Sequence, residues 1–214
     1  MEESSLTNIS VKSELIRKGI HIASSVIPLS YLFLDKNILL YVLVPSVCVK
    51  VVIEILKYKS DAVFSLYQKF FGSILRVHEQ DKRLFRLNGA AWMMLAYVLC
   101  IIFFPRLIAI TGMLFLAYGD SLSALAGKFL GKKHFVPDRT FIGSFTFFIV
   151  ACAVVFLLPK YSYLPKEYLI GCLTALIATV ADTLKLPVDD NFSIPIVSCG
   201  ALYVFYLIFF PGIF

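Results

Sequence analysis

Apolar residues run along this chain in long, nearly uninterrupted blocks, and polar residues gather in short clusters between them. Seven blocks stand out: Gly19 to Leu34, Ile38 to Leu56, Gly89 to Phe104, Leu107 to Ala126, Phe141 to Leu158, Tyr168 to Leu184 and Ile194 to Phe214. Most approach the ~20 residues that carry a helix across a bilayer, and flanking polar turns extend the shorter ones. The pattern predicts an all-α fold: a polytopic transmembrane helix bundle of about seven spans, forming one integral membrane domain over residues 1–214. Between the second and third blocks the periodicity changes. Val63, Leu66, Tyr67, Phe70, Phe71, Ile74 and Leu75 recur at helical spacing, with Lys59, Asp61, Lys69 and Arg76 off the stripe. That is the pattern of an interfacial amphipathic helix, and a short re-entrant piece fits it as well. Inside the second block Lys50 and Glu54 lie one turn apart, so they should pair with each other or face the bundle interior.

Composition supports this class. Hydrophobic residues make up 59% of the chain and charged residues 16%, against roughly 45–50% and 25% in soluble proteins. Mean hydropathy is +0.85. A soluble globule of this size has too little interior for so much apolar surface, and a disordered chain carries far less of it. The net charge of +6 is unevenly placed. With seven spans, fifteen Lys and Arg residues fall on the side of the N-terminus and four on the other, with Lys50 inside a span. The positive-inside rule then puts the N-terminus and the even-numbered loops in the cytoplasm. No basic run is interleaved with a nucleic-acid-binding motif, so the surplus favours membrane lipids with anionic heads or a phosphorylated substrate, not nucleic acid. Cys48, Cys100, Cys152, Cys172 and Cys199 all sit in apolar stretches and read as small core residues. His21, His78 and His134 are scattered and outline no zinc site. The first residues are polar and acidic, unlike the basic start of a secretory signal.

Polar clusters fall mostly on the side assigned to the cytoplasm, which points to a site at one surface of the bundle and not to a pathway through it. Glu14, Arg17, Lys18 and His21 share one helical face, where three potential cations grip phosphate while Glu14 orients Arg17 or Lys18; a basic collar beside the membrane fits equally. Asn88 stands with Arg86 and Gly89 just before the third block. Asp120 is an ionisable residue within an otherwise apolar block, functional by default. Gly119, Ser123 and Gly127 form a small-residue face, open to a neighbouring helix or a ligand. Gly127 and Gly131, beside Lys128, Lys132 and Lys133, suit close backbone contact with phosphate oxygens, although no Walker A loop is present. Arg139, Thr140, Gly143 and Ser144 open the fifth block, where a helix N-terminus is an anion site and the same residues also serve as ordinary caps. Asp189, Asp190 and Asn191 precede the last block and offer hard oxygen ligands suited to Mg²⁺; a polar turn with Asn191 or Ser193 as cap is the alternative. Together these pieces ask for a nucleoside triphosphate, and a site at the bilayer interface asks for a lipid acceptor.

The order E-x-x-R-K-x-x-H, G-D-x-x-[SA]-x-x-x-G-[KR]-x-x-G, [KR]-[ST]-x-x-G-S and D-D-N-x-x-x-P, spread over residues 14 to 195, resembles the polyprenol, phytol and dolichol kinase family, which includes the CTP-dependent diacylglycerol kinases. The resemblance implies a membrane kinase that uses a nucleoside triphosphate, commonly CTP, as co-substrate to phosphorylate a lipid alcohol. It implies Asp120 and Lys128 as catalytic residues and Asp189, Asp190 and Asn191 as the metal site. Nucleotide binding would fall to Glu14, Arg17, Lys18, His21, Asn88, Ser123, Gly127, Gly131, Lys132, Arg139, Thr140, Gly143 and Ser144. Relatives often carry Glu where this chain has Asp182. The glycine-rich portion is also similar to phosphatidate cytidylyltransferases, whose late Pro-Gly-His-Gly-Gly stretch is missing here. A transporter would show polar residues from both halves at midmembrane and repeat symmetry; the chain shows neither.

Overall fold

The computed structural model describes residues 11–72, 85, 87–131, 134–136, 139–184 and 186–214. The chain is built almost wholly from helices: α1 (Val11–Ala23), α2 (Val26–Ser30), α3 (Lys36–Lys59), α4 (Asp61–Phe71), α5 (Gly89–Phe103), α6 (Arg106–Leu114), α7 (Ser121–Leu130), α8 (Phe141–Leu157), α9 (Pro165–Thr183) and α10 (Asp190–Phe209). A π-helical turn, Phe115–Asp120, joins α6 to α7 in one rod. The one departure from all-α among the described residues is a small antiparallel hairpin, β1 (His134–Val136) with β2 (Arg139–Thr140).

The rod from Arg106 to Leu130 is the centre of the molecule, with 78% of its most apolar window buried against 22% for α3. α10, α5 and α8 pack around it, α9 lies against α8 and α10, and α1 rests on the π turn and α7. Burial is inverted relative to a water-soluble fold. On α1, Lys18 and His21 are buried while Leu15, Ile16 and Ile20 are exposed. The same holds for the exposed Phe141, Phe145, Ile149 and Phe156 of α8. Apolar faces turned outward and ionisable groups turned inward are what a bilayer solvent favours, and in water such faces would aggregate.

Of the seven expected spans, three are, among the described residues, single helices long and apolar enough to cross a membrane: α3, the Arg106–Leu130 rod and α10. The first apolar block breaks after Ala23, because the Ser24 hydroxyl donates back to the His21 carbonyl at 2.6 Å and Pro28 lacks an amide donor. α5 has 15 residues and α8 has 17, about 22 and 25 Å at 1.5 Å per residue, short of a ~30 Å hydrocarbon core. α9 has 19 residues but carries Lys166, Glu167 and Asp182. The amphipathic helix is present as α4; Ile74 and Leu75 of its predicted stripe, and Arg76 off it, lie outside the described residues. The five cysteines are free thiols, with Cys100 and Cys199 in the core as expected but Cys48 exposed on the outer face of α3.

The rod meets α10 at Gly112. A Cβ there would lie 2.4 Å from Cys199 Sγ and 2.8 Å from the Pro195 carbonyl oxygen. Gly112→Ala should therefore destabilise the bundle by about 1–3 kcal/mol through overpacking. Reversible unfolding in sodium dodecyl sulfate measures this, and an unchanged midpoint would contradict the close approach.

One end of the bundle is held by Glu167, 1% exposed, whose carboxylate accepts from the Tyr161, Ser162 and Tyr163 amides and from the Ser162 and Tyr206 hydroxyls. Lys160 nearby donates to the Val155 and Leu158 carbonyls, and burial holds its ammonium below the ordinary lysine range. These groups satisfy one another and tie the α8–α9 turn to α10. The opposite end is different in kind.

Candidate functional site

At that opposite end the N-termini of α5, α8 and α10, the C-terminus of α9, and the polar face of α1 beside the π turn come together. Each helix start is capped by its own side chain. Asn88 Oδ1 accepts from the Ala91 amide at 3.0 Å, Thr140 Oγ1 from Gly143 at 3.1 Å, and Asp189 Oδ1 from Asn191 at 3.0 Å. These are the residue types favoured at N-caps. The π turn rotates Asp120 to face α1, a local irregularity of the sort that often marks a functional site.

Two ion-paired groups at this end lie within electrostatic range of one another. In the first, Lys18 Nζ donates to Asp120 Oδ2 at 2.6 Å, and His21 Nδ1 stands 3.7 Å from the same oxygen. Lys18 and Asp120 are 5% and 4% exposed. In the second, Arg139 Nη2 lies 2.7 Å from Asp182 Oδ1 and 3.3 Å from Asp190 Oδ2. Arg139 also lies within electrostatic range of Asp120, so the two groups form one charged region. Within it Asp120, Asp182 and Asp190 face Lys18, Arg139 and His21. Breaking such a buried pair from one side is costly, because the remaining charge cannot be solvated.

The predicted residues distribute as follows. Glu14 does orient Arg17, at 3.0 Å, but Lys18 belongs to Asp120 instead. Ser123 is buried and donates to the Asp120 carbonyl at 3.0 Å. The small-residue face turns to α8: Gly119 abuts Phe147, Gly127 abuts Thr140 and Gly143, and a Cβ on Gly131 would meet Thr140 Oγ1 at 2.5 Å. The close approach made by these glycines is thus to the start of α8. The Ser144 hydroxyl shares a hydrogen bond with Thr183 at 3.1 Å. Lys128 is exposed in the last turn of α7, and Lys132 lies outside the described residues. Asn88, besides capping α5, donates to the Tyr67 hydroxyl at 2.9 Å. Asn191 is 3% exposed and donates its Nδ2 to Asp189 Oδ1 at 2.7 Å.

Asp182 was missing from the predicted site, though its signal was the one that marked Asp120: an ionisable residue within an apolar block. Among the described residues no three His, Cys, Asp or Glu side chains are grouped to hold a metal ion by themselves. A cation at this end would be shared between one or two carboxylates and a ligand's own oxygens, the usual manner of Mg²⁺.

The fold and this site define a class: an apolar helical bundle with a dense ionic region at one end. No family model and no solved structure matches the chain. It is 28% identical over 191 residues to an uncharacterized protein of Rickettsia prowazekii (strain Madrid E), covering 88% of this chain and 93% of that one. It is also 24% identical over 215 residues to CTP-dependent diacylglycerol kinase 1 of Saccharomyces cerevisiae, covering 87% of this chain and 71% of the yeast protein.

Proposed function

We propose that this protein is a membrane lipid-alcohol kinase, which transfers the terminal phosphate of a nucleoside triphosphate, CTP, to a polyprenol, phytol-like or diacylglycerol acceptor. The observation that carries this reading is the convergence of Lys18–Asp120 and Arg139–Asp182–Asp190, from five separate elements of the chain, at one end of an apolar bundle. The similarity to a diacylglycerol kinase supports it.

In the reaction the bond between the γ-phosphorus and the β–γ bridging oxygen breaks. A bond from the acceptor oxygen to that phosphorus forms, the hydroxyl proton departs, and CDP leaves. Such transfer needs in-line positioning and charge neutralisation more than covalent chemistry. Asp120 orients Lys18, and Asp182 orients Arg139, so that an ammonium and a guanidinium face the phosphates with little freedom to lose. Arg17, Lys128 and Lys132 add positive charge at the rim. The start of α8, where Thr140 caps Gly143 and Ser144 bonds Thr183, adds the positive end of its helix dipole to this region. The hard oxygens of Asp189, Asp190 and Asn191 fit Mg²⁺, which would neutralise phosphate charge when bound. This end of the bundle faces the cytoplasm in the proposed topology, with the acceptor entering from the membrane.

Purified protein given CTP labelled at the γ-phosphate, with phytol, a polyprenol or diacylglycerol, should move label into lipid; ATP in parallel sets nucleotide choice. Label from the α-phosphate appearing in phosphatidate-derived product instead would make the protein a cytidylyltransferase. Asp190→Ala should abolish transfer while leaving membrane insertion and the unfolding midpoint near wild type, since the Asp190 side chain is 34% exposed. Full activity in that variant would remove Asp190 from the metal role.

A further inference from the structure

A second buried ionic cluster lies between α3, α4 and the start of α5. Glu54, 1% exposed, stands 3.1 Å from Lys50 Nζ and 2.6 Å from Lys57 Nζ. Two ammonium groups against one carboxylate leave surplus positive charge. Tyr67 of α4 closes the cluster: Lys50 donates to its hydroxyl at 3.1 Å, and Lys57 Nζ lies 4.4 Å from its ring centroid in a cation–π contact.

The same hydroxyl accepts from Asn88, the cap of α5, at 2.9 Å. Gly89 follows, so close to α10 that a Cβ would lie 2.6 Å from Asn191 Nδ2. That nitrogen donates to Asp189. One turn into α5, Trp92 meets the Phe192 ring edge-on at 5.5 Å. An unbroken series of hydrogen bonds and close contacts thus runs from α4 to the first turn of α10.

The other face of α4 is exposed, with Leu66, Phe70 and Phe71 at 58%, 67% and 49%. α4 begins one residue after α3 ends, and α3 is long and apolar enough to cross a membrane. The helix therefore leaves the bundle where that crossing would finish. Lys59 just before it and Lys69 in its last turn are exposed, with Asp61 as one exposed acid. An apolar face bordered by lysines at the end of a crossing helix fits a layer of anionic headgroups, with rings among acyl chains and ammonium groups among phosphates.

We propose that α4 docks on an anionic lipid surface and that Tyr67 transmits this docking through Asn88 and Asn191 to the Asp189 end of α10. The inference concerns regulation of the site proposed above, and it rests on the membrane reading of the chain. Trp92 is the sole tryptophan and reports on the α5–α10 contact. The full chain is placed in nanodiscs of phosphatidylcholine, with and without phosphatidylglycerol, and Trp92 emission and its quenching by acrylamide are recorded. Wild type should shift when phosphatidylglycerol is present. The shift should be lost in Tyr67→Phe, and in Asn88→Ala, which breaks the same hydrogen bond from the other side. It should be lost as well in Leu66→Glu, which alters only the outer face of α4 and leaves the ionic cluster whole. A wild-type emission indifferent to phosphatidylglycerol overturns the docking, and a shift that survives in both Tyr67→Phe and Asn88→Ala overturns the transmission. Absence of phosphate transfer together with a lipid-dependent emission would remove the kinase reading and leave this one standing.

Discussion

Arg139→Met is expected to destabilise the folded bundle by about 3–5 kcal/mol, the range for removing one partner of a buried ion pair, and to abolish phosphate transfer. The stability loss comes from Asp182, whose side chain is 1% exposed and faces the guanidinium at 2.7 Å. Asp190 contributes little to it, because its side chain is 34% exposed and water can take the place of the cation. The double variant Arg139→Met, Asp182→Asn removes the stranded charge and should regain most of the lost stability. It should regain none of the transfer, since no guanidinium is left to meet the phosphates. Unfolding in sodium dodecyl sulfate and γ-label transfer, measured on both variants, separate the two effects. Active Arg139→Met would end the phosphate role, and equal instability of single and double would mean that Asp182 is not what Arg139 compensates.

That pairing shows where sequence reasoning reached its limit. Local regularities were legible. The Lys50–Glu54 pair follows from one-turn spacing on a helix, the amphipathic stripe gave α4, and Thr140 caps α8, whereas α10 is capped by Asp189 and not by the expected Asn191 or Ser193. Apolar blocks gave α3, the central rod and α10 to within a few residues. The first block misled, because Ser24, Ser25 and Pro28 scarcely lower a hydropathy average, yet they interrupt the backbone hydrogen bonds that a crossing helix needs. Charge partners were legible only in part: spacing set Arg17 and Lys18 on the face of Glu14, and no one-dimensional pattern assigns Lys18 to a carboxylate on another helix. The π turn that delivers that carboxylate has no signature in the residues themselves. Asp182 was visible as an oddity within an apolar block, but its partner on the hairpin was visible only once the helices were packed. The small glycines were correctly read as a close-approach face; that the approaching group is Thr140 and the first turn of α8 depends on the fold.

The second large effect concerns Lys18 and Asp120. Each is 5% exposed or less, and they meet at 2.6 Å. Asp120→Ala should cost about 3–5 kcal/mol by leaving the ammonium buried without its counter-charge, and Lys18→Met a similar amount by stranding the carboxylate. If the pair served folding alone, Lys18→Met with Asp120→Leu, which fills the same space with apolar groups, would be as stable as wild type and as active. Replacement of a buried ion pair by packed apolar residues is often neutral or stabilising, so the first half of that expectation holds in either case. Activity decides. A stable double variant with no transfer assigns Lys18 to phosphate binding and Asp120 to holding it in place, and nucleotide binding should weaken in the same variant. A stable and fully active double variant would reduce the pair to a structural device, leaving Arg139 and the start of α8 to neutralise the phosphates alone.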